Sequence, residues 1–322
     1  MRIVAMLVLV AVLAFSSNQS GAQENYPSRE ITIIVPFSAG GSVDIVARVL
    51  AEGLKRRLGQ NVIVENRPGG SGSVGTKDAA KAAPDGYTLL LGNAGVPFIS
   101  SMMNPNFGVD PEKELTPISD SAEFVIALVV RNELPVKTLQ EFVAYAKGRP
   151  DHLNYGTSGV GTLAHLAAEL LMQRTGLMMQ HVPYKTVPNM APDLMEGRID
   201  AMFTSTGLVI GQVQGHKVKA LVVSSTYRLN VWPDVPTIQE SGIPDFNVTG
   251  WMGVFAPAGL PREIRQKLSA ALAESTKEPA ARTLLQNAGF EPVGTEWGAF
   301  ERLVAADSNK WRALIKERGL KY

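Results

Sequence analysis

Residues 30–59 read EITIIVPFSAGGSVDIVARVLAEGLKRRLG. The first part, residues 30–36, is an apolar, β-branched run and is expected to be a strand. From Ser42 onward the period changes. Val43, Val46, Ala47, Leu50, Leu54 and Leu58 fall on one helical face, Arg56 and Arg57 occupy the last turn, and Gly59 stops the helix. Strand, glycine loop and amphipathic helix together open an α/β unit. Such a helix leaves its first backbone N–H groups without intrahelical partners, and its dipole adds roughly half a positive charge there, a setting that suits an anion. From these residues alone two readings stand level: the loop seats an anion, or Ser42 caps the helix and the glycines merely turn the chain.

The alternation continues outward from this stretch. Strands are expected at residues 61–65 and 87–92, with a helix over 73–82 between them, which completes βαβαβ. A second unit follows, with strands at 124–131, 178–182, 199–204 and 220–224. It has helices over 138–147 and from Leu163, the latter stopped at Gly176. Residues 228–245 are Pro-rich and irregular. A strand over 251–256, a helix from Pro261 to about Thr276 and two more helices complete the chain. The expectation is an α/β protein of two domains, residues 23–123 with 247–322 and residues 124–246, so that the chain crosses twice between them. Ligands of open α/β sheets sit outside the carboxyl ends of the strands, which here places the site in the cleft between the domains.

Residues 1–22 are set apart from that fold. Arg2 precedes an apolar run from Ile3 to Phe15, and Ser20-Gly21-Ala22 offers small residues for cleavage after Ala22. This is the pattern of a secretory signal peptide. The run is too short to cross a hydrocarbon core of ~30 Å at ~1.5 Å per residue. The remaining chain is expected to be exported to a periplasm and soluble. The protein has no cysteine, hence neither disulfides nor a lipidation site. Loss of Arg2 from the 31 basic residues leaves 30 against 30 acidic ones, and no basic patch argues for nucleic acid.

Enzyme motifs are incomplete. Gly70, Gly72 and Gly75 match G-x-G-x-x-G, but the next strand ends in Gly92-Asn93, where a dinucleotide site needs an acid. Thr76-Lys77 reverses the order that a phosphate-binding P-loop requires. GTSGV at residues 156–160 approaches a nucleophile elbow but has Val160 in place of the final glycine. A secreted serine hydrolase using Ser158, with His165 as base, is kept as the alternative reading. His152, His165, His181 and His216 show no ligand spacing, so neither a metal nor a cofactor is expected.

YGTSGVGT at residues 155–162 repeats the layout of the opening stretch in the second domain: strand, Gly/Ser/Thr loop, amphipathic helix. Two helix N-termini on one cleft favour the anion reading. His165 lies one turn into the second helix and is expected to be neutral at pH 7, either ordering the loop or touching ligand. Asp44 pairs with Arg48 at i+4, either as a brace of the first loop or as a contact to a ligand donor.

Taken with these loops, VIVENRPGGSGSVGT, AAPDGYTLLLGN, YGTSGVGTLAHLAAELL, HVPYK, WPDVPTIQESGIPDF and GWMGVFAPAGLP make the chain resemble the Bug/TctC family from about Pro27 to its end. Members are solute-binding receptors of tripartite tricarboxylate transporters. The resemblance implies a two-domain periplasmic-binding-protein (Venus flytrap) fold and no enzymatic activity. It implies a small organic carboxylate as ligand (a di- or tricarboxylate, an aromatic acid or an amino acid), a membrane permease as partner, and a monomer. It also implies ligand-binding residues: Phe37, Ser38, Ala39, Gly40, Gly41 and Asp44 in the first loop, and Thr157, Ser158, Gly159, Gly161, Thr162 and His165 in the second. Asn93, Tyr184 and Thr204 are implied at further strand ends. The sequence departs from the family pattern around Met102, Met103 and Met190, which either line the cleft or pack in the core.

Overall fold

The computed structural model describes residues 26–149, 153–184 and 187–321. The expected signal peptide, His152 and Lys185 lie outside them. In chain order the elements are β1 (Ile31–Val35), α1 (Ser42–Leu58), β2 (Val62–Asn66), α2 (Ser73–Ala80), β3 (Thr88–Asn93), α3 (Phe98–Met103), α4 (Pro111–Glu114) and β4 (Leu115–Arg131). Then come α5 (Leu139–Lys147), β5 (Asn154–Thr157), α6 (Leu163–Thr175), β6 (Gln180–Pro183), α7 (Val187–Met195), β7 (Ala201–Ser205), α8 (Ile210–Gln214) and β8 (Val218–Val223). The chain ends with β9 (Thr249–Pro257), α9 (Arg262–Lys277), α10 (Pro279–Asn287), β10 (Glu291–Thr295) and α11 (Trp297–Arg318).

β4 organises the molecule. Its first part pairs antiparallel with β9 from Leu115 to Val125 and with β10 around Asp120–Glu123. Its last part pairs antiparallel with β7 and β8 from Ile126 to Arg131. One strand thus belongs to two sheets, in the orders β2-β1-β3-β9-β4-β10 and β6-β5-β7-β4-β8. The chain passes from one sheet to the other at Val125/Ile126. It returns where the Val248 N–H donates to Ser224 O at 2.9 Å and β9 begins. The α/β fold with two chain crossings is as expected.

The first half of β4 differs from expectation. The expected strand begins at residue 124, whereas β4 begins at Leu115 and takes in Pro117 and the polar run Ser119-Asp120-Ser121, with register shifts between Pro117 and Ser119 and between Asp120 and Ala122. Bulges absorb the proline and turn the polar residues, which a strand pattern cannot show locally.

Each sheet is covered by helices whose apolar face the sequence marks out. Val46, Leu50 and Leu54 of α1 pack with Leu268 and Leu272 of α9 on the first sheet. Gly59 closes α1 at φ 70°, its N–H donating to Lys55 O at 3.0 Å. On the second sheet, Leu166, Ala167 and Leu171 of α6 share a core with Leu128, Tyr155 and Phe203. α11 belongs to both halves. Phe300 sits against Trp251 and Phe255, at ring-centroid distances of 5.3 and 5.2 Å, while Trp311 and Leu314 join the core containing α6.

Close packing here rests on missing side chains. A Cβ at Gly253 of β9 would stand 2.0 Å from the fully buried Phe300 ring. Gly253→Ala is expected to lower the unfolding free energy by about 1–3 kcal/mol through overpacking, read as a lower urea midpoint. An unchanged midpoint would contradict this packing.

Candidate functional site

The parallel strands of both sheets point their carboxyl ends at one cavity of about 840 Å³. The first loop contributes Pro36, Phe37, Ser38 and Ser42, and the second contributes residues 158–164. Asn93, Tyr184 and Thr204 also line it, at or beside the ends of β3, β6 and β7. Ala39, Gly40 and Gly41 are exposed on the first loop beside the cavity wall. Asp44, Thr157 and His165 lie behind the two loops, all three buried.

The first loop is held from beneath. Gly41 is the N-cap of α1 in extended conformation with no side-chain cap, so Ser42 is the first helical residue rather than the cap. The Asp44 carboxylate accepts from Gly40 N–H (2.9 Å), Arg48 Nε and Nη2 (2.9 and 3.0 Å) and Asn66 Nδ2 (3.0 Å). Burial pushes the Asp44 pKa up, but these hydrogen bonds outweigh it and hold the carboxyl below its usual range. Asp44 therefore acts as a brace. Asn66 adds a second tie by donating to Phe37 O at 3.1 Å, a role that no motif marks.

The second loop is built on side-chain hydrogen bonds. Thr162 caps α6, accepting from His165 N–H at 3.3 Å and donating to Gly159 O at 2.8 Å. Thr157 Oγ1 accepts from Gly159 N–H at 3.2 Å and lies 2.7 Å from His181 Nε2. His165 Nδ1 accepts from Gly161 N–H at 3.3 Å, and its Nε2 is 3.7 Å from Glu169 Oε1. Both imidazole nitrogens of His165 face loop or helix, so Ser158 gains no base from His165.

Beneath this loop three rings are stacked. Tyr155 lies on His181 at 4.9 Å and His181 on His165 at 4.3 Å. Tyr155 donates to Glu169 Oε1 at 3.3 Å, and Arg318 Nε donates to Glu169 Oε2 at 2.8 Å. Burial pushes both histidines down to about 4, with His165 adding to the effect on His181. The imidazoles are neutral at pH 7, as expected for His165, but the cause is desolvation.

Two groups of lining residues were not anticipated. Pro68, Gly69, Ser71 and Gly72 come from the loop after β2. It is a third glycine loop at a strand end, the feature that could have revealed it. Glycines permit close approach here: a Cβ at Gly72 of the loop would meet Val96 at 2.3 Å, and one at Gly75, in the first turn of α2, would meet Arg67 O at 2.8 Å. The other group, Phe124, Ile126, Leu208, Met252 and Phe290, comes from distant segments. Met103 and Met190 are instead buried in the core, and Met102 packs against it.

At one flank of the cavity the two halves touch through glycines. A Cβ on Gly207, just after β7, would come 2.7 Å from the Cα of Gly289, which follows α10, and 3.1 Å from Ala288 O. Among the described residues no group of acidic or histidine side chains is placed to hold a metal ion, and no helix is long and apolar enough to cross a membrane.

Residues 46–320 match the family model of the tripartite tricarboxylate transporter family receptor, TctC. The chain belongs to this receptor family. It is 33% identical over 299 residues to the protein BugT of Bordetella pertussis, spanning 92% of each chain. Among solved structures it resembles Rpa4515 of R. palustris with adipate, with a TM-score of 0.79, 32% identity and coverage of 92% of this chain and 99% of that one. It also resembles MatC from Rhodopseudomonas palustris with bound malate, with a TM-score of 0.76, 32% identity and coverage of 90% and 100%. The fold is that of a two-domain periplasmic binding protein.

The buried histidines give this site a testable pH signature. With a pKa of about 4 in the fold against about 6.5 when unfolded, each makes the unfolded chain the stronger proton binder between those values. The stability they support is complete above about pH 6.5 and is lost as pH falls toward 4. Buried Asp120, whose pKa burial raises, acts in the opposite sense, so the comparison must be made against a variant. The stability difference between the protein and His181→Phe is expected to shrink from pH 7 to pH 4, by up to ~1.4 kcal/mol per pH unit. A difference independent of pH would contradict neutral burial.

Proposed function

We propose that this chain is an extracytoplasmic receptor, exported by its leader and soluble once residues 1–22 are removed. It captures a small organic carboxylate by closing two domains on it and delivers it to the membrane permease of a tripartite tricarboxylate transporter. The domains divide as residues 23–123 with 247–322 and residues 124–246. One observation carries this reading: two glycine loops, each leading into a helix and each from a different sheet, line one cavity.

In this mechanism the carboxylate lies between the two loops. Amide groups of the uncapped first turn of α1 and of the loop before α6 donate to its oxygens, and hydroxyls of Ser38, Ser42 and Ser158 complete the set. Two helix dipoles compensate its charge without a cation. Asp44 and His165 keep these loops in shape from behind. The ligand stabilises the closed form because only there do both loops reach it. No covalent step is involved, and His165 accepts from Gly161 N–H through Nδ1 and turns Nε2 toward Glu169 rather than toward Ser158.

The contact of Gly207 with Gly289 sets the limit of closure. Gly207 does not adopt a positive φ, so alanine suits its backbone while its Cβ would strike the opposite main chain. Gly207→Ala is expected to leave the ligand-free protein folded, with an unchanged circular dichroism spectrum. It should weaken carboxylate affinity about tenfold by calorimetry, the equivalent of ~1.4 kcal/mol. Unaltered affinity would show that closure does not bring these glycines together.

A further inference from the structure

The cavity offers more than a carboxylate seat. Its floor, where β9, β4 and β7 lie side by side, presents Met252, Phe124 and Ile126. Phe290 stands edge-on to Phe124, with centroids 6.3 Å apart and rings at 89°. Phe124 holds its place across Gly250, where a Cβ would meet the ring at 2.1 Å. Leu208 lines the same space with 47% of its surface exposed, an apolar side chain that protein packing leaves uncovered. Phe37 brings a further ring from the first loop.

These side chains come from both halves of the molecule and form a hydrocarbon wall next to the two helix N-termini. A charged or strongly hydrated group set against that wall loses water and gains nothing in return. The volume, about 840 Å³, lies in the upper part of the ~300–1,000 Å³ range typical of pockets for larger small molecules. An ammonium group is served poorly. Among the described lining residues none is acidic, and the one carboxylate of the first loop, on Asp44, already accepts four hydrogen bonds.

We propose that the ligand is a carboxylate with an apolar body, an aromatic or medium-chain alkyl acid, whose hydrocarbon part lies on Met252, Phe124, Phe290 and Leu208. This rests on the carboxylate-receptor reading above and narrows it. Amino acids and short polycarboxylates are the disfavoured classes.

The test is calorimetric titration of the mature protein with butyrate, hexanoate, octanoate and 4-phenylbutyrate, set against succinate, citrate and L-glutamate. Affinity is expected to rise from butyrate to octanoate by about fourfold per methylene, the value for burying a CH₂ group. Octanoate and 4-phenylbutyrate should both bind more tightly than succinate, citrate or glutamate. Leu208→Ala, at a half-exposed position, is expected to reduce octanoate affinity about fivefold and flatten the chain-length series. Tighter binding of succinate, citrate or glutamate, or no dependence on chain length, would overturn the apolar-body proposal and leave the carboxylate receptor standing. Failure of every acid to bind would overturn both.

Discussion

The constraint on which this architecture depends is that one strand serves two sheets. β4 runs between β9 and β10 over its first part and between β7 and β8 over its last. Because the same backbone carries both ladders, the carboxyl ends of β1 and β3 and those of β5, β6 and β7 are brought to one cavity. A rigid division into separate domains would leave that alignment to a linker. Here it is fixed by hydrogen bonds up to the crossing at Val125/Ile126. α11 ties the crossing from outside. Asp307 accepts the Trp251 indole N–H at 3.0 Å, Lys310 donates to Asn247 O at 2.6 Å beside the returning chain, and Arg318 reaches Glu169 of α6.

The same economy governs the electrostatics of the cavity. Charged side chains near the loops are engaged behind them rather than aimed into the space between. Asp44 is matched by Arg48 and amide donors, Glu169 by Arg318 and Tyr155, and the stacked histidines are kept neutral by burial. The remaining positive potential is that of oriented backbone N–H groups at two helix starts. Such groups suit an anion whose charge sits on a small, planar end, and they leave the rest of the ligand to be chosen by shape and apolar contact.

Much of this was legible in the sequence. The 3.6-residue period of Val43, Val46, Leu50 and Leu54 gives α1, and the Gly-rich loops at strand ends give two sides of the cavity. The Asp44–Arg48 spacing gives the ion pair. What stayed hidden was of two kinds. Pro117 and Ser119-Asp120-Ser121 belong to β4 only because bulges and partners on both sides override local preference. Phe124, Leu208, Met252 and Phe290 meet only in three dimensions, from segments up to 166 positions apart in the chain, and nothing periodic marks them. Met103 and Met190 illustrate the converse: residues whose chemistry fits a cleft but whose place is the core, with Met102 packed against it.

The most direct test of the central idea, that two helix starts on two sheets hold one carboxylate, is amide NMR of the nitrogen-labelled mature protein titrated with octanoate. The amides of Ser42 and Val43 and those of Ser158, Gly159 and Gly161 are expected to shift together along a single saturation curve. Perturbation confined to one of the loops, or absent from both with octanoate, succinate, citrate and glutamate alike, would contradict it.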